Sequence, residues 1–177
     1  MPRSIKYLFS ILIAALTVPA AHPADDPCTK FTWDVKNELA VMNQSANAVT
    51  VATKAGASVP QLEVGKLYEL QLAAQNKVTF AAKPAKPTLD DGGQAGLVKF
   101  KTDEAGRYRI SVTSGHWIDV VDGALVIASR DFQGMRGCER PRKIVEYELA
   151  AARDLVLQLS GSTDAKITLA ITQAPTP

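Results

Sequence analysis

Histidine is scarce in this chain of 177 residues, which contains only His22 and His116. A non-haem iron site needs two histidines and a carboxylate, and a tetrahedral zinc site needs three or four protein ligands. His22 lies beside an expected export leader, so His116 alone is available to the body of the protein. We therefore expect no metal cofactor and no metal-dependent catalysis.

Motifs for other kinds of catalysis are also missing. The chain has no Gly-x-Ser-x-Gly elbow, and Ser114 and His116 lie close together without an evident orienting acid. The paired aspartates Asp90 and Asp91 precede glycines, but the Asp-x-Asp-x-Asp-Gly pattern of a calcium loop is absent. Turn formation explains these aspartates, and a calcium site is the alternative. We expect no catalytic residues; a hydrolase that uses His116 is the less favoured reading.

The chain has little excess charge of either sign. Its 20 basic and 18 acidic groups give a formal net charge of +2. Removal of residues 1–20 takes away Arg3 and Lys6 and no acid, so the remaining 157 residues are formally neutral. A neutral domain lacks the overall positive field of a nucleic-acid binder, and we expect no nucleic-acid partner.

Long apolar runs are absent except near the N-terminus. Tyr7 to Val18 is an uncharged, mostly apolar run that follows Arg3 and Lys6. Twelve residues are too few to span about 30 Å of hydrocarbon as a helix. Small residues before and at Ala20 suit a signal peptidase, so we predict a signal peptide over 1–20, with cleavage after Ala24 as the alternative. The mature protein would be periplasmic or secreted, with no transmembrane anchor.

Cysteine is limited to Cys28 and Cys138, so a Cys-x-x-Cys redox pair is excluded. An exported protein meets an oxidising compartment, which favours pairing of the two thiols. We predict a structural disulfide that links positions 110 residues apart.

Only Phe31 to Asn43 has a helical pattern, with Phe31, Val35, Leu39 and Met42 spaced to share one face. Most of the remaining chain alternates with a period of two. Strands are expected at 48–53, 67–72, 77–81, 97–101, 107–113, 117–121, 125–129, 143–149, 155–159 and 167–172. Polar and apolar residues alternate from Arg107 to Val112, as in a strand with one wet face. Asp122-Gly123 predicts a tight hairpin.

These short strands, with no helical crossovers between them, predict an all-β fold. We expect a two-sheet antiparallel β-sandwich, jelly-roll-like, with one short N-terminal helix. The single domain is predicted over 28–173, followed by a disordered tail over 174–177.

The most suggestive stretch for binding is the basic loop from Arg130 to Lys143. The loop contains five basic residues and two acidic residues, and the predicted disulfide would hold it in place. The guanidinium group of arginine can donate two parallel hydrogen bonds to a carboxylate or phosphate, so the loop predicts an anion-binding surface. The alternative is a solvated loop that binds no ligand. Trp117 begins a strand just after His116, and we add both to the candidate surface. The predicted binding residues are His116, Trp117, Arg130, Arg136, Arg140, Arg142 and Lys143.

Trp117 is also one of five aromatic residues that could form a stacking platform for a sugar or peptide. Aromatic side chains in alternating strands more often belong to the core, which is the favoured reading for the others. The five are Trp33, Tyr68, Tyr108, Trp117 and Tyr147.

Several short motifs resemble a family of small exported proteobacterial proteins that carries no assigned activity. They are Cys28 with Phe31-Thr32-Trp33 and Glu38, Ala95-Gly96 before Phe100, Gly106-Arg107-Tyr108, Trp117-Ile118-Asp119-Val120, Gly137-Cys138 and Arg142-Lys143. The stretches 108–122 and 155–171 also look like the β-sandwich of bacterial pre-peptidase C-terminal domains. That second resemblance implies a non-catalytic module of secreted enzymes.

Taken together, the residues predict a non-catalytic exported binding module for an anionic or carbohydrate ligand. The expected partner is an anionic glycan or an envelope protein. The main alternative is a structural envelope protein or protein-interaction module without a small ligand.

Overall fold

The computed structural model describes residues 26–86, 88–89 and 91–175. The predicted signal peptide over 1–20 and the end of the predicted tail lie outside these residues. Two 3₁₀ turns occupy Pro27–Lys30 and Gln75–Lys77, and one helix, α1, occupies Lys36–Met42. The strands are β1 Asn47–Thr50, β2 Gln61–Leu62, β3 Leu67–Gln71, β4 Ala73–Ala74, β5 Gln94–Thr102, β6 Gly106–Val112, β7 Trp117–Asp122, β8 Leu125–Ile127, β9 Asp131–Gly134, β10 Lys143–Leu149, β11 Arg153–Ser162 and β12 Lys166–Gln173.

The strands form two sheets, and the predicted β-sandwich is confirmed. Sheet A has the order β1-β3-β12-β6-β10-β9, and sheet B has the order β2-β5-β11-β7-β8, with β4 also on β5. The antiparallel pairs β3·β12, β5·β11, β6·β10 and β7·β8 nest inside one another. This is the pairing of a long hairpin rolled into a jelly roll. Its innermost turn is the predicted one, where Gly123 adopts a φ of 62°.

The sheets are mixed rather than wholly antiparallel. β1 joins β3 in parallel, and the two-residue β2 joins β5 in parallel. Both short strands lie at a sheet edge, so they extend the nested antiparallel pairs without interrupting them. Period-two alternation does not report strand direction, because parallel and antiparallel strands place their side chains alike.

The main core lies between the sheets. Inward residues of all the long strands are buried there, including Phe100, Ile110, Val120 and Leu157. Tyr68, Tyr108 and Tyr147 belong to this core, which agrees with the plainer reading of the aromatic residues.

The N-terminal helix is shorter than its pattern suggested. It begins at Lys36, whereas Phe31 and Val35 precede it in extended or irregular backbone. Both are nevertheless buried with Cys138 and Ile144 in a small cluster on the outer face of sheet A. The apolar spacing was therefore a correct guide to burial but not to helix length.

One other expectation, the strand predicted at 77–81, was wrong. The stretch 77–81 is not a strand: Lys77 ends a 3₁₀ turn, and Thr79 forms an isolated bridge with Lys54. At the start of the predicted tail, the Ala174 N–H donates to the Arg107 carbonyl, and Arg107 Nη2 donates to the Pro175 carbonyl.

The polar face of β6 is covered, whereas the alternation predicted a wet face. Arg109 is only 5% exposed, and its Nε donates to Glu146 Oε2 at 2.9 Å. Its Nη1 donates to the Asp34 carbonyl at 2.7 Å and lies 3.5 Å from Glu38 Oε2. Glu38 is fully buried, and Thr172 donates to its other oxygen at 2.8 Å. Residues 27–43, which we call the N-terminal cover, thus lie on sheet A over a buried ion cluster.

The Trp33 ring and a small group of apolar side chains also pack the N-terminal cover against sheet A. The Arg109 guanidinium stacks 4.7 Å from the Trp33 ring centroid, a cation–π contact. Val41 and Met42 pack on Leu67 and Ala170 beside it. The predicted disulfide between Cys28 and Cys138 is present and joins the cover to the loop before β10.

The outer face of sheet B is covered by the segment 78–86. Gln158 exchanges hydrogen bonds with the backbone of Ala82, and the Ala85 N–H donates to Asp119 Oδ2. Gln158 and Asp119 are themselves hydrogen-bonded and buried. Among the described residues, no helix is long and apolar enough to cross a membrane.

Replacing Arg109 with Met should destabilise the fold severely. The change leaves the carboxylates of Glu38 and Glu146 buried without their shared cation, which costs about 3 to 5 kcal/mol. Urea denaturation followed by tryptophan fluorescence measures the loss. Lys166→Ala, which removes the cation of an exposed pair with Glu69, is the control and should cost under about 1 kcal/mol. Equal losses in the two variants would contradict a central role for the buried cluster.

Candidate functional site

The candidate loop connects β9 to β10 and is fixed at several points. At its base the Met135 N–H donates to the Arg142 carbonyl, and the Arg142 N–H donates to the Val112 carbonyl. The disulfide holds Cys138 at a Cα–Cα distance of 4.8 Å from Cys28. Gly137 adopts a φ of 91°, a conformation that glycine takes without strain. The loop is therefore tied to both the sheet and the N-terminal cover.

Three of the predicted residues meet in one surface groove of about 710 Å³. We call it the arginine groove, because Arg136, Arg140 and Arg142 line it. All three arginines are exposed. The remaining lining residues are Thr113, Gly137, Cys138, Glu139 and Thr168.

The arginine groove is strongly cationic for its size. It has three guanidinium groups and one carboxylate, that of Glu139. In the described part of the chain, no carboxylate oxygen lies within 4 Å of any of these guanidinium groups. A bound anion would therefore not have to displace an internal ion pair.

Arg140 has a structural contact as well as a place in the groove. Its Nη2 donates to the Met42 carbonyl at 2.8 Å, at the C-terminal end of α1. This bond satisfies one of the carbonyls that the helix end leaves without a partner. The other N–H groups of Arg140 are available to the groove.

A second, smaller pocket of about 250 Å³ shares Arg136 and Arg142 with the arginine groove. We call it the lysine pocket, because Lys143 lines it together with Ser114 and Gly115. Lys143 Nζ donates to the His116 carbonyl. Burial, and secondarily the charge of Arg142, lower the pKa of Lys143 to about 8.

His116 does not lie on the surface, so its place in the predicted binding set is wrong. The side chain is fully buried, and both ring nitrogens have partners. Nε2 lies 3.2 Å from the Gln94 carbonyl, which can only accept, so Nε2 carries the proton. Nδ1 then accepts from Ser114 Oγ at 2.8 Å. Ser114 is only 2% exposed, so this serine–histidine pair is almost entirely buried.

Arg130 lies apart from the arginine groove. Its Nη1 is 3.1 Å from Glu148 Oε2, and its Nε is 4.0 Å from Glu146 Oε1. It therefore belongs to the rim of the buried ion cluster on sheet A. The sequence grouped it with the other cations because it precedes them, but β9 separates them in space.

Trp117 is also not part of the arginine groove. Its Nε1 donates to Asp119 Oδ1 at 2.7 Å, and Lys86 Nζ lies 5.4 Å from its ring centroid. Both contacts place it on the covered outer face of sheet B. Of the seven predicted binding residues, Arg136, Arg140, Arg142 and Lys143 thus form one continuous surface, and the other three do not contribute to it.

Two polar residues of the groove were missed by the sequence reasoning. Thr113 follows β6 and Thr168 lies in β12, and the Thr168 N–H donates to Thr113 Oγ1 at 2.9 Å. The two are 55 residues apart, and only the β6·β12 pairing brings them beside the loop. No local sequence signal could have identified them.

An acidic groove of about 570 Å³ lies at the other end of β6 and β12. Tyr108 and Gln173 line it at the opposite ends of these strands from Thr113 and Thr168. Four acids line it with one lysine: Glu63, Asp103, Glu104 and Asp154, with Lys101. The two grooves thus carry opposite charge.

Comparisons with known proteins add nothing to this geometry: no protein-family model, no curated protein and no solved structure matches the chain.

The buried His116 should make the protein less stable in acid. Burial lowers its pKa from 6.5 to about 4, so the unfolded chain takes up this proton first as the pH falls. The buried, neutral His116 therefore contributes about 3 kcal/mol to the free energy of unfolding above about pH 6.5. This contribution is lost as the pH falls to about 4. Urea unfolding at pH 7, 5.5 and 4 measures it.

The matched variant is His116→Gln, which has no titrating group at this position. Its stability should fall less between pH 7 and pH 4, because contributions from carboxylates cancel in the comparison. Parallel pH profiles for the two proteins would show that His116 is not the buried neutral group described.

Proposed function

We propose that this protein is an exported, non-catalytic binding module for an acidic oligosaccharide, which it holds in the arginine groove. The observation that carries this proposal is the convergence of Arg136, Arg140 and Arg142 with no carboxylate within 4 Å of their guanidinium groups in the described residues. Guanidinium groups bind carboxylates through paired, charge-assisted hydrogen bonds. Such bonds are stronger than those between neutral groups.

The form of the groove supports an oligosaccharide more than a single small anion. At about 710 Å³ it is in the size range of sites that bury a whole organic ligand. Thr113 and Thr168 add hydroxyl groups beside the cations, suited to sugar hydroxyls. The alternation of carboxylate and hydroxyl groups along a uronic-acid chain matches this mixed lining.

The fixed backbone of the loop supports binding with little ordering cost. The disulfide, the Arg140 bond to Met42 and the bonds at the base of the loop position the groove before a ligand arrives. Rigid sites bind more tightly, because less conformational entropy is lost on association.

Export is part of the same proposal. The predicted signal peptide provides the route, and the disulfide between Cys28 and Cys138 is a bond that persists in oxidising compartments. A periplasmic or secreted protein would encounter acidic glycans of the envelope or surroundings.

Loss of the two freely exposed arginines should abolish most of the binding. Arg136→Ala/Arg142→Ala removes two charge-assisted contacts and should weaken trigalacturonate binding about 100-fold, as measured by isothermal titration calorimetry. Arg140 is left intact because it also anchors α1.

The charge-matched control is Lys36→Ala/Lys77→Ala, two exposed lysines outside the arginine groove. It should bind as the wild type does. Equal weakening in both variants would indicate a diffuse charge effect, and no binding of trigalacturonate to the wild type would overturn the proposed function.

Expression of the full chain in a Gram-negative host tests export. We expect the periplasmic fraction to contain a protein that begins at Ala21 and has no free thiol, because both cysteines are paired. Intact-mass spectrometry before and after reduction measures both properties. A full-length chain found only in the cytoplasm would contradict the export proposal, and two free thiols would contradict the pairing.

A further inference from the structure

The lysine pocket contains a cation that the proposed groove does not use. Lys143 is half-buried, and its ammonium group has one protein partner, the His116 carbonyl. Within the described residues, no carboxylate oxygen lies within 4 Å of Lys143 Nζ. A partly desolvated ammonium group without a counter-ion is costly, and a bound anion would offset that cost.

The surroundings of Lys143 increase this need for an anion. Arg136 and Arg142 line the same pocket, so three cations converge on about 250 Å³. The positive charge of Arg142 acts against the protonated form of Lys143. His116, which lies beside Lys143, is neutral near pH 7, because burial lowers its pKa to about 4. Nothing in the pocket lining compensates the positive charge.

The two compartments are joined through shared residues. Arg136 and Arg142 line both the arginine groove and the lysine pocket. A ligand that crosses these two side chains would present one anionic group to each compartment. A single anion can occupy only one of them at a time.

We propose that the ligand carries at least two anionic groups, and that Lys143 binds the second of them in the lysine pocket. This inference rests on the proposed function and assigns a second anionic group of the oligosaccharide to Lys143. Two of the three Lys143 N–H donors remain for the ligand, since the His116 carbonyl takes one. Gly115, which is exposed at the mouth of the pocket, leaves room for the chain to pass.

Calorimetry with galacturonic acid, digalacturonate and trigalacturonate tests the inference, with maltotriose as the uncharged control. In the wild type, affinity should rise from the monomer to the oligomers. Lys143→Met keeps the apolar stem and removes the charge, so it should weaken oligomer binding about tenfold and leave monomer binding unchanged. Lys143→Arg should retain most of the oligomer affinity, because it keeps the charge.

The wild type provides a second test that requires no substitution. The pKa of Lys143 is lowered to about 8, and the bound anion favours its protonated form. Oligomer affinity should therefore fall as the pH rises from 7 to 9.5. The uronate carboxylates stay ionised over this range, and a monomer held in the arginine groove does not contact Lys143, so monomer affinity should not change. The charged groups that face Lys143 in the lysine pocket are Arg136 and Arg142.

The possible outcomes separate the two proposals. Failure of the wild type to bind any uronate overturns the proposed function. If the monomer and oligomers bind equally and Lys143→Met changes neither, the arginine groove binds a single anion and the inference about Lys143 is wrong. If Lys143→Met weakens monomer binding as much as oligomer binding, there is one site rather than two compartments.

Discussion

The ion cluster around Arg109 is the interaction on which the arrangement of this protein depends. A jelly roll buries the inner faces of its sheets, and its outer faces can remain wet. Here Glu38 reaches a fully buried position on sheet A, where Arg109 and Thr172 satisfy its carboxylate. Without that contact the N-terminal cover would leave a buried charge without compensation. The cover must therefore dock in one register to be stable.

The position of the loop that forms the arginine groove depends on the docking of the N-terminal cover. The cover contacts the groove loop twice, through the disulfide at Cys138 and through the bond from Arg140 to the Met42 carbonyl. The same segment supplies Glu38 to the cluster, so the positions of the cluster and the groove are mechanically linked. The loop before β10 is thus held in place by the N-terminal cover as well as by the sheets.

Much of the fold followed from local patterns, whereas most of the site did not. Alternation located β6 and β10, and Asp122-Gly123 located the central turn, because each depends on residues adjacent in the chain. The same alternation in β6 gave no sign that Arg109 is covered, since Glu38 is 71 residues away. The sequence likewise grouped His116, Trp117 and Arg130 with the basic loop. In the structure these three residues lie in different places. His116 is buried with Ser114, Trp117 lies on the outer face of sheet B, and Arg130 lies at the rim of the ion cluster.

The arginine groove and the acidic groove carry opposite charges, which the small net charge of the chain does not reveal. The seven residues of β6 separate the arginine groove from the acidic groove by roughly 20 Å. The Debye length at physiological ionic strength is only about 8 Å. A molecule that approaches one groove is therefore screened from the other, and the two grooves act as separate electrostatic surfaces. An anion near the arginine groove therefore meets a positive local potential, although the chain as a whole has a formal net charge of only +2.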